Sequence, residues 1–212
     1  MKLFINALFG LTALVLSAPL AWAHPHEWID VRVALIFEDK KLVAVDQSWR
    51  FDPFFSSYVL AELNQERPNK QVLAEKASAM GPEMIDNLKK HSFLNEMFYD
   101  GSALSGFVGS FDSAEVIRDQ MELRFRLTLP EPLDLKAADF QYRVYDPTYY
   151  IEMLHANRHR PKLQGAPWGC RVKVVASEPD EDVLLYASSL DVDESSDEGL
   201  GIHFAETATV SC

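Results

Sequence analysis

The 212-residue sequence predicts an α+β fold, mostly antiparallel β-sheet with two or three helices inserted after the first hairpin. Three observations predict it. Segments of alternating apolar and polar residues start near residue 29 and return through the second half of the chain. Helix signals cluster between residues 52 and 90. No strand–helix–strand repetition occurs, so the sheets should be built from hairpins rather than from parallel crossovers.

Each element follows from local chemistry. Ile29, Val31, Val33, Leu35 and Phe37 alternate with Asp30, Arg32, Ala34 and Ile36, the period of a strand with one buried face. Glu38-Asp39-Lys40-Lys41 is a polar turn, and a second strand over Leu42–Phe51 completes a hairpin. Asp52-Pro53 then opens a helix, because Asp caps free N–H groups and Pro suits the first helical position. Phe54, Phe55, Tyr58, Val59 and Leu63 are expected on its buried side. A second helix is read over Asn69–Met80, broken at Gly81-Pro82, with a third from Pro82 to about Lys90. Asp100-Gly101 signals a hairpin between Phe93–Tyr99 and Ala103–Phe111. Met121, Leu123, Phe125, Leu127 and Leu129 mark the clearest later strand. Phe140, Tyr142 and Val144 mark another, Val172 and Val174 one more, and Ile202–Cys212 the last.

Residues 1–23 read as a secretory signal peptide. Lys2 supplies the positive start, Phe4–Leu20 the apolar stretch, and Ala21-Trp22-Ala23 the small residues before a cleavage site. Residues 24–212 are then expected to form one domain with no membrane anchor, exported to a bacterial periplasm. Losing the leader, which holds one Lys and no acid, takes the net charge from −12 to −13. A composition of 48% hydrophobic residues excludes wholesale disorder. The excess of 32 Asp+Glu over 20 Lys+Arg argues against nucleic-acid binding, which needs cations to neutralise phosphates. Two cysteines exclude a four-cysteine zinc module. Cys170 and Cys212 each fall in a β-segment; export favours a disulfide, with a soft metal pair or free thiols as the alternatives.

The chemistry concentrates at the new amino terminus, His24-Pro25-His26-Glu27-Trp28. An amino-terminal His offers its α-amine and its imidazole. In the extended backbone that Pro25 favours, residues two apart share a face, so His24 and His26 can point at one ion. Trp28 and Asp30 continue that face, whereas Ile29 and Val31 point to the core. The square-planar amino-terminal motif with a third-position His is excluded, because it needs a deprotonated amide where Pro25 has none. Imidazoles suit Zn, Ni, Co and Cu.

Other histidines are weaker candidates. His155 and His159 would share a helix face, but Arg158, Arg160 and Pro161 make a poor helix end, and surface or interface roles compete. His203, placed in the last strand beside Phe204, is either a core His or a ligand. His91 follows Lys89-Lys90 and reads as a surface residue. Asp191–Glu198 reads as a solvated acidic loop, since Ser196 and Ile202 occupy positions where a calcium loop needs Gly and Glu. Asp146-Pro147-Thr148-Tyr149-Tyr150 reads as a packed turn whose Asp accepts backbone N–H groups. No nucleophile elbow, phosphate loop or dinucleotide fingerprint occurs, and the chain is not expected to be an enzyme.

These segments together resemble a known family. His24-Pro25-His26 with Trp28-Ile29-Asp30, Trp49-Arg50-Phe51-Asp52 with Phe55, Tyr145-Asp146-Pro147-Thr148-Tyr149-Tyr150, Phe204-Ala205 and Val210-Ser211-Cys212 are similar to the DUF1007 family of exported bacterial proteins. The resemblance implies a periplasmic component of a transport system, with a nickel/cobalt-type membrane permease as partner and zinc homeostasis as a second association. The expected function is therefore an accessory to transition-metal transport that binds Ni, Co or Zn through His24 and His26. Two alternatives are a metal-free scaffold using exposed aromatics such as Trp28 or Tyr149, and a copper enzyme with a third His from His91, His155, His159 or His203.

Overall fold

The computed structural model describes residues 25–63, 70–156, 160–190, 196 and 199–212. The proposed signal peptide, His24, His159 and nearly all of the 191–198 acidic loop lie outside the described residues.

The alternation at the start of the chain builds β1 (Glu27–Glu38), with Ile29, Val31, Val33, Leu35 and Phe37 buried. Asp39 and Lys40 both adopt positive φ, the conformation of the tight turn whose twist matches paired strands. The chain returns as β2 (Lys41–Phe51), antiparallel to β1 from Glu38↔Lys41 to Ile29↔Phe51. Asp52 caps α1 (Pro53–Leu63) as expected: one carboxylate oxygen accepts the Phe54 N–H at 2.7 Å and the Phe55 N–H at 3.0 Å. The buried side differs from the expected one. Phe55, Val59 and Leu63 pack on the core, but Phe54 and Tyr58 are 83% and 63% exposed, and Ser56 takes the buried position. The Ser56 hydroxyl accepts the Met121 N–H and donates to the Phe51 carbonyl, ties that only a small polar side chain can make here.

The expected break at Gly81-Pro82 is absent: α2 runs unbroken over Lys70–Lys90 with Pro82 inside. Proline removes one helical hydrogen bond, but tertiary packing overrides that local preference. A Cβ on Gly81 would stand 2.0 Å from the Phe111 ring, so the glycine permits close seating of the helix on the sheet. A 3₁₀ turn (Ser92–Leu94) leads to β3 (Asn95–Tyr99), and Asp100-Gly101 turns it into β4 (Ser102–Ala103). The expected Ala103–Phe111 strand does not exist as one element. The chain leaves β4 for the other sheet, where β5 (Val108–Ile117) pairs with β6 (Gln120–Leu133).

The rest is β7 (Phe140–Val144), β8 (Ile151–His155), β9 (Lys162–Gln164), β10 (Arg171–Val175), α3 (Glu181–Ser189), a 3₁₀ turn (Gly201–Phe204) and β11 (Thr207–Ser211). One sheet has the order β5-β6-β2-β1-β8, with β9 also beside β1; the other has β10-β11-β7-β3-β4. Most pairs are antiparallel, but β8 and β9 run parallel to β1. The fold is α+β and mostly antiparallel, as the sequence predicts.

One apolar core draws on both sheets, with Trp49 edge-on to Phe125 at 4.9 Å. A buried polar relay crosses between the sheets. Trp49 Nε1 donates to Gln47 Oε1, Gln47 Nε2 to Asn95 Oδ1, and Asn95 Nδ2 to the Phe93 carbonyl. Each such bond contributes about 1 kcal/mol net and fixes which residues of the sheets face each other. Cys170 and Cys212 form a disulfide. They sit just outside β10 and β11, whose register pairs Arg171 with Ser211, so the bridge closes the end of that strand pair. Among the described residues, no helix is long and apolar enough to cross a membrane.

Candidate functional site

The start of β1 is where the expected amino-terminal site should lie, and three elements converge on it. Antiparallel pairing with β2 carries Asp52 alongside Trp28: the Asp52 N–H donates to the Trp28 carbonyl at 3.0 Å, and the Trp28 N–H reaches Asp52 Oδ2 at 3.4 Å. Parallel pairing with β8 matches Glu27 to Ile151, which brings the 146–150 turn to the same end. The His26 N–H donates to the Tyr150 carbonyl at 3.0 Å, and the His26 ring lies 5.0 Å from the Tyr150 ring. Asp146 organises the turn as expected, accepting the N–H groups of Thr148 and Ile151, each at 3.0 Å.

Three carboxylates therefore gather at one strand end. Glu27 shares the inward register of Ile29, so its carboxyl is tucked beneath the strand. Burial, then the negative charges of Asp52 and Asp146, push it up from 4.5 to about 7. Trp28 and Asp30 stand in the opposite, exposed register, and His26 precedes the strand with its N–H on the Tyr150 carbonyl. Among the described residues, no three His, Cys, Asp or Glu side chains are grouped to enclose an ion. Of the expected His pair, His24 lies outside the described residues.

The other expected ligands are placed differently. His155 ends strand β8 and is not on a helix as expected; its expected partner His159 lies outside the described residues. Both of its ring nitrogens have protein partners: Nδ1 meets Glu206 Oε2 at 2.8 Å and Nε2 meets the Tyr142 hydroxyl at 2.9 Å. The same Glu206 oxygen accepts the His155 backbone N–H at 2.6 Å. An ionised carboxylate only accepts, which puts the imidazole proton on Nδ1 and makes Nε2 the acceptor of the Tyr142 O–H. Burial alone would raise the Glu206 carboxyl, but the two His155 hydrogen bonds and its nearby ring lower it. Burial and the Glu206 charge push the Tyr142 phenol up. This is a satisfied structural network, and His155 has no nitrogen to spare for a metal. His203 lies in the 3₁₀ turn Gly201–Phe204, not in the last strand, and it is exposed. Its neighbour Phe204 takes the inward position, stacked on Tyr149 at 3.7 Å. That stacking buries Tyr149, which removes it from the expected exposed aromatics; Trp28 is exposed as expected. His91 is exposed just beyond α2.

A second charged cluster was not legible in advance. Glu122 of β6 is 1% exposed, yet it accepts hydrogen bonds from Arg32, Arg50 and Arg124 at 3.2, 2.5 and 2.7 Å. Burial opposes ionisation of this carboxyl, but the Arg124 and Arg50 hydrogen bonds prevail and lower it from 4.5 to about 2. In the sequence Glu122 looks like the solvent-side residue of an alternating strand; only the register Asp30↔Arg50↔Glu122 reveals the arginines around it.

The family model of DUF1007, a protein of unknown function, matches residues 9–212. An uncharacterized protein of Haemophilus influenzae is 28% identical over 193 residues, which cover 90% of this chain and 91% of that protein. No solved structure matches. With the family model spanning nearly the whole sequence, the chain belongs to the DUF1007 family.

Proposed function

We propose that this protein is a periplasmic accessory to transition-metal transport, binding Ni, Co or Zn as cargo through His24 and His26. The observation that carries the reading is the gathering of Glu27, Asp52 and Asp146 at the strand end that follows the His pair. Grouped carboxylates create a negative potential that raises the local concentration of cations. Imidazoles at the chain end then supply the donors that select transition metals over Mg or Ca. A site at a free chain end exchanges its ion readily, which suits transfer rather than storage. The disulfide is compatible with export.

The same end carries an exposed aromatic rim that suits a permease partner. Trp28 adjoins Glu27, Phe54 follows the Asp52 cap, and Tyr150 holds the His26 N–H; all three side chains are exposed. In this reading the protein delivers or accepts an ion and performs no catalysis. Titration calorimetry with Ni, Co and Zn salts tests it, using chains that begin at His24. His24→Ala/His26→Ala should weaken binding at least tenfold; an unchanged affinity would sink the site.

A further inference from the structure

The outward face of the β5-β6-β2-β1-β8 sheet holds a cavity of about 610 Å3. Its floor is two cross-strand rows, Arg32↔Ser48↔Arg124 and Ala34↔Asp46↔Arg126. One wall is the segment bearing Arg160 and Lys162, with Lys162 paired to Ala34. The opposite wall is the bulge at Asp112, where β5 slips register against β6. Bulges re-aim side chains and recur beside sites.

The charge of this cavity runs against that of the chain. Five cations, Arg32, Arg124, Arg126, Arg160 and Lys162, line it against three carboxylates, Asp46, Asp112 and Glu122. The whole sequence has 32 acids against 20 Lys and Arg. Part of the positive charge is already engaged: Arg126 forks onto Asp46 and Arg124 onto Glu122. Arg32 also meets Glu122, through Nη1 at 3.2 Å. Arg160 and Lys162 make no ion pair among the described residues, and the buried Nε–H of Arg32 has no hydrogen-bond partner among them. A buried guanidinium N–H without an acceptor is unfavourable, and an acceptor that reaches it relieves this.

We propose that this cavity binds a small multivalent oxyanion, a polycarboxylate or phosphate-bearing molecule. Arg32 Nε would donate at its base, and Arg160 and Lys162 would close over it from the wall. The volume falls within the range of small-molecule sites, and guanidinium forks match the planar geometry of both oxyanions. Glu122 serves as the fixed counter-charge that holds Arg32 and Arg124 in place. The site lies apart from His26, which is not among its lining residues, and does not rest on the metal reading.

The test uses metal-free protein, with citrate and inorganic phosphate as separate calorimetric probes. Binding of either at submillimolar concentration is expected, weakened by added NaCl. Citrate alone would assign the site to carboxylates, phosphate alone to phosphoryl groups. Arg160→Ser/Lys162→Ser, two exposed positions that should leave the fold intact, is expected to weaken the bound probe at least tenfold. Arg32→Lys, which keeps the charge but loses the Nε donor, should also weaken it. Binding of neither probe, or the same affinity in Arg160→Ser/Lys162→Ser, would overturn the proposal.

Discussion

Glu122→Gln keeps the size of a buried side chain and removes the charge that three guanidiniums face. The displacement of its carboxyl from 4.5 to about 2 is worth about 3 kcal/mol of folding free energy at neutral pH. Arg32, Arg50 and Arg124 are 28%, 20% and 38% exposed, so solvent screens part of this, leaving about 2–3 kcal/mol. The sign follows from proton counting. The folded carboxyl binds fewer protons than the unfolded one, so its contribution is complete above about pH 5, declines as pH falls through 4.5, and is gone below about 2. Urea unfolding of wild type and Glu122→Gln, followed by circular dichroism and tryptophan fluorescence, measures the difference. At about pH 7 the variant should be less stable by about 2–3 kcal/mol; by about pH 3 more than half of that deficit should have vanished. A deficit under about 0.5 kcal/mol at neutral pH, or one that stays constant to about pH 3, would refute the reasoning.

Other predictions follow from particular contacts. Cys170→Ser/Cys212→Ser removes a bridge across 42 residues and should destabilise by about 4 kcal/mol in the chain-entropy account; a loss under about 1 kcal/mol in denaturant unfolding would contradict it. Glu27 carries the opposite sign from Glu122: its folded carboxyl is raised to about 7, so stability present below 4.5 is lost as pH rises through 7. Discounted for partial exposure, Glu27→Gln should gain about 1–2 kcal/mol on wild type between about pH 5 and pH 8, and equal pH profiles would count against the carboxylate cluster. Gly81→Ala should destabilise by about 1–3 kcal/mol despite alanine's better helix propensity, because its Cβ would meet the Phe111 ring; a more thermostable variant would show that the ring can give way. Tyr142→Phe should cost about 1–2 kcal/mol by leaving His155 Nε2 without its donor, and nitrogen NMR of His155 should register the change; an unaltered spectrum would remove the network.

The elements that alternation or caps encode were legible in the sequence. The first hairpin, the Asp52-Pro53 helix start, β6, β7 and the Asp146 turn need only local chemistry, and the structure has each of them. What failed depended on distant partners. The sequence shows Pro82 as a breaker, but not the Phe111 ring against which Gly81 seats a continuous helix. The apolar pattern of α1 does not say that Ser56, rather than Tyr58, meets Met121. His155 reads as a potential ligand until the fold supplies Glu206 and Tyr142 to both of its nitrogens. His203 and Phe204 are neighbours of opposite fate because a 3₁₀ turn, and no strand, sets their directions. The candidate metal site was half legible: His26 is named by its motif, whereas Glu27, Asp52 and Asp146 join it only through the pairing of β1 with β2 and β8. The cationic cavity was not legible at all, since its five cations sit on three strands and a loop.

Native mass spectrometry of the protein exported without a tag, then titrated with Ni, Co or Zn at micromolar concentration, tests the central claim most directly. One spectrum reports the amino terminus, the disulfide and the bound ion. The account predicts a chain that begins at His24, lacks two hydrogens for the Cys170–Cys212 bridge, and holds one transition-metal ion that His24→Ala/His26→Ala releases. It also predicts that the ion is lost as pH falls through about 6–7, where imidazoles protonate. A chain that begins elsewhere, or one that takes up no metal, would contradict it.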